Sequence, residues 1–397
     1  MKDSGIEWIG EIPEGWKIAP LKRFAAIQTG NTPSKTSDAN YYAANGIPWI
    51  KPDNLGYSDP ILTTSEYLTQ EGAYHARIMP PNTVFVCCIG SLGKVGFSST
   101  SCACNQQINA LVFNDLMFWK YGYYLTIAQE SQYLFFGNGN VLQIINSTNQ
   151  SNIACVLPSL ENQRLIVYYL DSICSVIEVL ISKTRSSIEE YKKLKQAVIT
   201  QAVTKGVRSE RNMKDSGVEW IGEIPKEWSV AKAKYCVTIT HGSDPKNEGS
   251  IPVYGSGAES FKTCGEYKEG PTVLIGRKGA TLHIPHYIEG KYWNVDTAFD
   301  VKAKSNFFLP YYYYLATSFD YKFYISQTTL PGMTQSNYYN MFLPFPTFPE
   351  QEEIVAHLDA KCAEIDGLIA KKEQLVKELE SYKKSLIYEV VTGKREV

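Results

Sequence analysis

Apolar residues recur along residues 159–204 with a spacing that alternates four and three. The positions are Ile166, Leu170, Ile173, Ile177, Leu180, Thr184, Ser187, Tyr191, Leu194 and Val198. This heptad seam, with two polar positions in its middle, predicts one continuous amphipathic helix. Such a helix of about 45 residues is roughly 65 Å long. A second seam spans about residues 349–391 through Ile354, Leu358, Ile365, Leu368, Leu375, Leu379, Tyr382 and Leu386, with Lys361 and Lys372 interrupting it. Thr347 followed by Glu350 predicts a capping box, with Pro349 tolerated in the first turn. Both seams are too long for one compact domain to cover, so the helices are expected to pack on each other.

The chain before each seam has a different texture. Residues 23–157 and 235–344 alternate Gly, Pro, Asn and Ser turns with short apolar runs, such as Thr83–Val86, Ala110–Phe113 and Thr272–Ile275. Several short strands are expected there, with a helix or two around Phe118–Ser131.

The two halves are also copies. Residues 1–22 and 213–234 match at 15 of 22 positions with an offset of 212. Trp8, Ile9, Ile12 and Trp16 anchor the first of these lead-in segments around the turn-prone Pro13-Glu14-Gly15. The helix openings match with an offset of 188, so the second half is 24 residues shorter between its matching parts (212 − 188 = 24). A repeat this long is a duplicated module rather than a solenoid unit. Two domain-then-helix units relate most simply by a pseudo-twofold axis, which would make the helices antiparallel with one variable domain at either end. The division expected is 1–157, 158–208, 209–345 and 346–397.

Composition narrows this only slightly. The 397 residues suffice for two or more domains, and 44% hydrophobic with 20% charged residues is ordinary for a globular protein. A net charge of −2 gives no global sign of a polyanionic partner, although residues 159–212 carry nine Lys/Arg against six Asp/Glu. Nine unevenly spaced cysteines with no Cys-x-x-Cys pair suggest a reduced, cytoplasmic protein, with Cys174 and Cys362 as small core residues. No membrane span and no signal peptide are expected.

Catalytic signatures are missing. No phosphate loop occurs, and Gly90, Gly93 and Gly96 fit turns between strands. His283 and His286 could form half a metal site but lack a third ligand nearby. The Asp-Pro-Pro-Tyr type of motif that an amino-methyltransferase uses around a flipped base is absent. Pro52-Asp53 with Glu289-Gly-Lys291 imitates a nuclease centre only superficially.

Taken together, the chain resembles the DNA-specificity (S) subunit of type I restriction-modification systems. The resemblance rests on the Trp-Ile-Gly-x-Ile-Pro-x-x-Trp segments (Trp8–Trp16, Trp220–Trp228) and the helix openings Leu157–Gln163 and Phe345–Gln351. The helix ends at Val203-Thr204-Lys205-Gly206 and Val391-Thr392-Gly393-Lys394 and the run Thr329–Gln335 support it, while Asn162 stands where a Glu is more usual. The family implies an α+β fold: two similar mixed α/β target recognition domains separated by two long antiparallel helices that form a coiled coil. It implies a non-catalytic chain in which each domain reads one half of a split double-stranded DNA site. The helices would set the gap and dock two modification (methyltransferase) subunits. S-adenosylmethionine would belong to those partners, and ATP and Mg to restriction (translocase and nuclease) subunits.

Base and phosphate contact calls for Asn, Gln, Arg, Lys and similar side chains on loops. The first domain offers Lys51, Lys94, Gln106, Gln107, Asn138, Asn140 and Gln143, and the second offers His241, Lys246, Arg277, Lys278, Lys291, Thr329 and Gln335. Arg277-Lys278, in a turn after an apolar strand, is the foremost pair. Each could instead be a solvated loop residue. Tyr311–Tyr314 could stack on bases but fit better as a helix dividing them between core and surface. Two other readings remain at this stage: a scaffold whose domains bind proteins, and a self-contained enzyme.

Overall fold

The computed structural model describes residues 1–34, 40–56, 59–137, 143–257, 259–279, 281–321, 324 and 332–397. The chain forms two compact units, Met1–Arg185 with Gln374–Val397, and Ser186–Glu373. The division falls inside both long helices rather than at their ends.

The first unit runs β1 (Lys17–Pro20), β2 (Ala25–Thr29), β3 (Ile47–Ile50), α1 (Gln70–Tyr74), β4 (Thr83–Cys87), β5 (Val95–Ser98), β6 (Cys102–Cys104), β7 (Ile108–Phe113), α2 (Trp119–Ala128) and β8 (Ala154–Leu157) into the helix α3 (Leu160–Lys205). Strands β5-β4-β7-β2 form an antiparallel sheet. The continuous apolar runs are explained by burial of this sheet on both faces: all five residues of β4 are buried. A second sheet is centred on β3 and β6, which run parallel with Ala103 opposite Trp49. Strand β8 pairs with β1 and so ties the end of the domain to its lead-in segment.

The second unit repeats the plan. It contains β9 (Ser229–Lys232), β10 (Val237–His241), β11 (Ile251–Tyr254), β12 (Thr272–Gly276), β13 (His286–Ile288), β14 (Lys291–Asn294), β15 (Ala298–Ala303), α4 (Leu309–Ser318), α5 (Gln335–Asn340), β16 (Phe342–Phe345) and α6 (Phe348–Val391). The sheet order β13-β12-β15-β10 reproduces that of the first unit, β11 and β14 run parallel, and β9 pairs with β16. Tyr311, Tyr312 and Tyr314 are buried and Tyr313 is half-buried, so the tyrosine run is mostly core.

The helix openings act as anchors. Gln163 is fully buried; it accepts the Phe118 N–H at 2.7 Å and donates to Pro158 O at 3.0 Å. Gln351 does the same with Phe308 N–H and Pro346 O. A buried amide with both ends satisfied fixes the angle at which each helix leaves its domain. Glu350 does not close the expected capping box. Its carboxylate takes the half-buried Arg211 guanidinium and the buried Trp228 indole N–H instead, both of which lie beside it.

Within each unit the two helices pair antiparallel. In the first, Glu178 meets Lys383 and Arg185 meets Glu380 at 2.6 Å. In the second, Lys372 sits over the Tyr191 ring at 5.6 Å and Lys195 meets Asp366 at 2.6 Å. The seam itself departs from the expected phase. Ile166, Leu170, Ile177, Ile354, Leu358 and Ile365 are buried, while Ile173, Tyr191, Leu368 and Leu379 are half-buried. Leu180, Leu194, Leu375 and Tyr382 are exposed, and Cys174, Ile181, Ile188, Cys362 and Val376 are buried instead. The covered positions still alternate three and four, through Val167, Leu170, Cys174, Ile177, Ile181, Thr184 and Ile188, so the heptad repeat holds and every second place lies one residue further on than expected.

On the first half of α3, Leu165, Tyr168, Val176 and Val179 are 51–78% exposed. At helical spacing they lie opposite the buried seam. By length and composition alone, α3 also holds an 18-residue stretch apolar enough to cross a membrane, a third of it buried within the protein. Asp171 within it pairs with Lys120 at 2.6 Å.

Candidate nucleic-acid interface

The polar loops of the first domain gather where β4 ends. The Cys88 N–H donates to Gln107 O at 2.8 Å, and Cys88 O accepts the Ile145 N–H at 3.0 Å. The Gly90 N–H donates to Gln143 O at 3.0 Å, and the Cys87 N–H to Lys94 O at 2.9 Å. These bonds bring Lys94, Gln106, Gln107 and Gln143 to one corner, with the first two and Gln143 exposed. The Cys88 thiol under this corner is buried, which pushes its pKa up to about 12 and keeps it unreactive. Gly90 and Gly93 have positive φ, so these glycines serve turns.

The second domain builds the same corner from other residues. The Arg277 N–H donates to Thr297 O at 2.8 Å, and Arg277 O accepts the Met333 N–H at 2.9 Å. Arg277 thus stands in the place of Cys88, and Lys278 in that of Ile89, each forming the matching bridge to the later loop. The Arg277 guanidinium is 2.9 Å from Asp296, and its carbon lies 6.0 Å from the Phe299 ring centre. His241 packs edge-on to the same ring at 4.9 Å. Lys278 is exposed. Arg277, Lys278 and His241 are therefore neighbours on one rim.

Other expected contacts lie elsewhere. Lys51 is held by Glu66 at 2.8 Å and lies over Trp49, so it braces β3. Gln335 donates to Ile239 O at 2.6 Å and so covers the outer edge of β10, an architectural task rather than a surface one. Lys246 and Lys291 are exposed near the 266–267 turn: the Lys246 N–H bonds Glu266, and Lys291 lies 4.2 Å from the Tyr267 ring centre. Asn138, Asn140 and Thr329 lie outside the described residues. Among the described residues no three His, Cys, Asp or Glu side chains gather as a metal site; His283 is exposed and His286 half-buried.

One cluster escaped the sequence reading. The Arg77 N–H donates to Asn31 Oδ1 at 2.8 Å, Asn31 Nδ2 donates to His75 O at 2.6 Å, and Thr32 bonds Gln106. Its only sequence signal was that residues 51–82 have a much shorter counterpart, 255–271, in the second half.

Residues 13–190 and 228–378 match the family model described as the type I restriction modification DNA specificity domain. The chain belongs to this family of specificity subunits, whose role is DNA sequence recognition rather than catalysis. The type I restriction enzyme MjaVIII specificity subunit of Methanocaldococcus jannaschii is 24% identical over 96% of this chain and 93% of its own. The HindI specificity subunit of Haemophilus influenzae is 28% identical over 46% of this chain and 39% of its own. Among solved structures, one described as the structural basis of complex assembly and conformational transition of the type I R-M system matches with a TM-score of 0.73 and 14% identity, covering 97% of this chain and all of its own. The HsdS subunit from Thermoanaerobacter tengcongensis matches with a TM-score of 0.51 at 14% identity, with full coverage of both chains.

Proposed function

We propose that each domain reads one half of a bipartite, asymmetric DNA sequence, and that the paired helices set the gap and receive the modification subunits. The observation that carries this is one loop corner built twice on the same hydrogen bonds but with different side chains, Cys88-Ile89 in one domain and Arg277-Lys278 in the other. A conserved frame with an exchanged rim is what two readers of different sequences require. The seam residues and lead-in segments belong to the frame. The outward apolar stripe of α3 supports partner docking, since stripes of this kind mark interaction surfaces on soluble proteins. S-adenosylmethionine, ATP and Mg then act in the partner subunits, in the cytoplasm.

Exchanging residues 23–157 for the equivalent stretch of another specificity subunit tests the reading. Methylome sequencing should show one half of the methylated sequence replaced and the other retained. An unaltered recognition sequence defeats it. A protein-binding scaffold would instead show DNA association of the assembled complex that is absent or insensitive to salt.

A further inference from the structure

The two domains carry an arginine at opposite ends of an equivalent strip. The strip begins where the Asn31 N–H donates to Cys104 O, matched by the Ser243 N–H to Asn294 O, both at 3.0 Å. It continues through Gln106–Gln107, matched by Asp296–Thr297, and ends at the corner of Cys88 or Arg277. In the second domain that corner holds Arg277 and Lys278. In the first, those two places hold buried Cys88 and half-buried Ile89, and the corner's exposed cation is Lys94, a point charge without a planar fork.

At the other end the first domain has Arg77, carried by the segment that follows α1, a helix with no counterpart among the described residues of the second domain. Arg77 is exposed, and its guanidinium donates from Nη1 to Thr29 O at 2.5 Å. Among the described residues Nε and Nη2 make no hydrogen bond, and no carboxylate pairs with the group. Asn31 clamps both sides of the segment through the Arg77 N–H and His75 O. A preorganised, unneutralised guanidinium on a clamped loop suits recognition of a planar pair of acceptors. At the end of α1, just before this segment, Tyr74 is 89% exposed.

Resting on the DNA-reading function above, we propose that Arg77 is the principal base-reading side chain of the first domain, donating its fork to the acceptor edge of a guanine in the major groove. Guanine presents O6 and N7 side by side, which fits two parallel N–H donors. The α1 segment is then the first domain's own specificity element, doing from one end of the strip what Arg277-Lys278 does from the other.

The test uses the chain assembled with its modification subunits. Methylome sequencing defines the motif for wild type, Arg77→Ala, Arg77→Lys and Arg277→Ala, and anisotropy measures binding to a duplex with the intact motif and one with the first half scrambled. Arg77→Ala should relax one guanine position in the first half, leave the second half unchanged and weaken intact-site binding about ten- to a hundredfold. Arg77→Lys keeps the charge and a donor for Thr29 O but loses the fork, so it should relax the same position even if Arg77→Ala folds poorly. An unchanged motif in both Arg77 variants, with Arg277→Ala altering the second half, overturns this proposal and leaves DNA reading intact. Equal weakening on intact and scrambled duplexes makes Arg77 a phosphate contact and also overturns it. Salt-insensitive binding with no motif change in any variant sinks the DNA-reading function itself.

Discussion

The hydroxyl of Tyr121 donates to the main-chain oxygen of Val391 at 3.0 Å, across 270 residues of sequence. It joins the core of the first domain to the last turn of α6. In the second unit, Tyr311 makes the same bond to Val203 O at the last turn of α3. Each domain thus grips the end of the helix that its own sequence does not lead into. Both hydroxyls are buried, so Tyr121→Phe and Tyr311→Phe each strand a carbonyl in the core and should cost about 1–3 kcal/mol. Chemical denaturation of each variant checks this; a loss below about 0.5 kcal/mol would remove these bonds from the account of how the helices are held.

Glu350 leads to a second expectation. Its carboxylate, 3% exposed, pairs with Arg211 and accepts the Trp228 N–H at 2.9 Å. Removing Glu350 leaves the buried Trp228 N–H unbonded and the Arg211 guanidinium with Glu227 alone, at 2.6 Å, so Glu350→Ala should cost about 1–3 kcal/mol. The repeat equivalent in the first half, Asn162, is exposed, and Asn162→Ala should stay within about 0.5 kcal/mol. Equal losses at the two positions would contradict the ion pair's role.

Much of this frame was legible beforehand. The helices, the strand runs and the repeat follow from side-chain periodicity, which burial imposes directly. The glutamine of each helix opening was visible as a motif, but its work as a buried double hydrogen bond was not, because its partners come from 45 and 5 residues away. Half of the seam was missed because apolar residues stand next to each other, as at Ile173-Cys174 and Leu180-Ile181, and two heptad registers sharing Leu170 and Ile177 fit the same sequence. The reading surface was least legible. Gln335 and Lys51 look like loop donors in sequence, yet one covers a strand edge and the other is neutralised by Glu66. Arg77 drew no notice because only the fold brings Asn31 to it.

The outward stripe of α3 supplies a third prediction. Leu165, Tyr168, Val176 and Val179 are exposed, whereas the repeat positions on α6 are Glu353, Ala356, Glu364 and Gly367. Val176→Asp should leave the chain's own unfolding midpoint nearly unchanged, as exposed substitutions do. It should reduce co-purification of modification subunits, measured by light scattering after size exclusion. Full assembly of the variant would show that the stripe is not a docking face.

His286 sets a pH dependence. Its Nε2 is buried and has no hydrogen-bond partner among the described residues. Burial disfavours the imidazolium and holds the folded pKa below the ordinary 6.5. Between the folded value and 6.5 the unfolded chain binds more protons, so stability rises with pH there. The contribution is fully present above about pH 6.5 and is lost as pH falls toward the folded value. Melting points followed from about pH 8 down to about pH 5.5 should fall at the acid end, and His286→Phe should flatten that fall. Parallel curves for both proteins would assign the acid loss to other groups.

The last prediction concerns the helices as a measure of distance. The boundary between the compact units falls between Arg185 and Ser186 on α3 and between Glu373 and Gln374 on α6. Seven residues inserted at each point preserve the heptad phase, and the tyrosine grips and glutamine anchors stay inside their own units. Each rim keeps its residues, so neither half of the DNA sequence should change. If the paired helices set the gap, only the number of unread base pairs should grow, and methylome sequencing of cells carrying the lengthened chain reads that number directly. A changed half-site would mean that the insertion reached the reading surfaces, and an unchanged gap would mean that something other than these helices sets it.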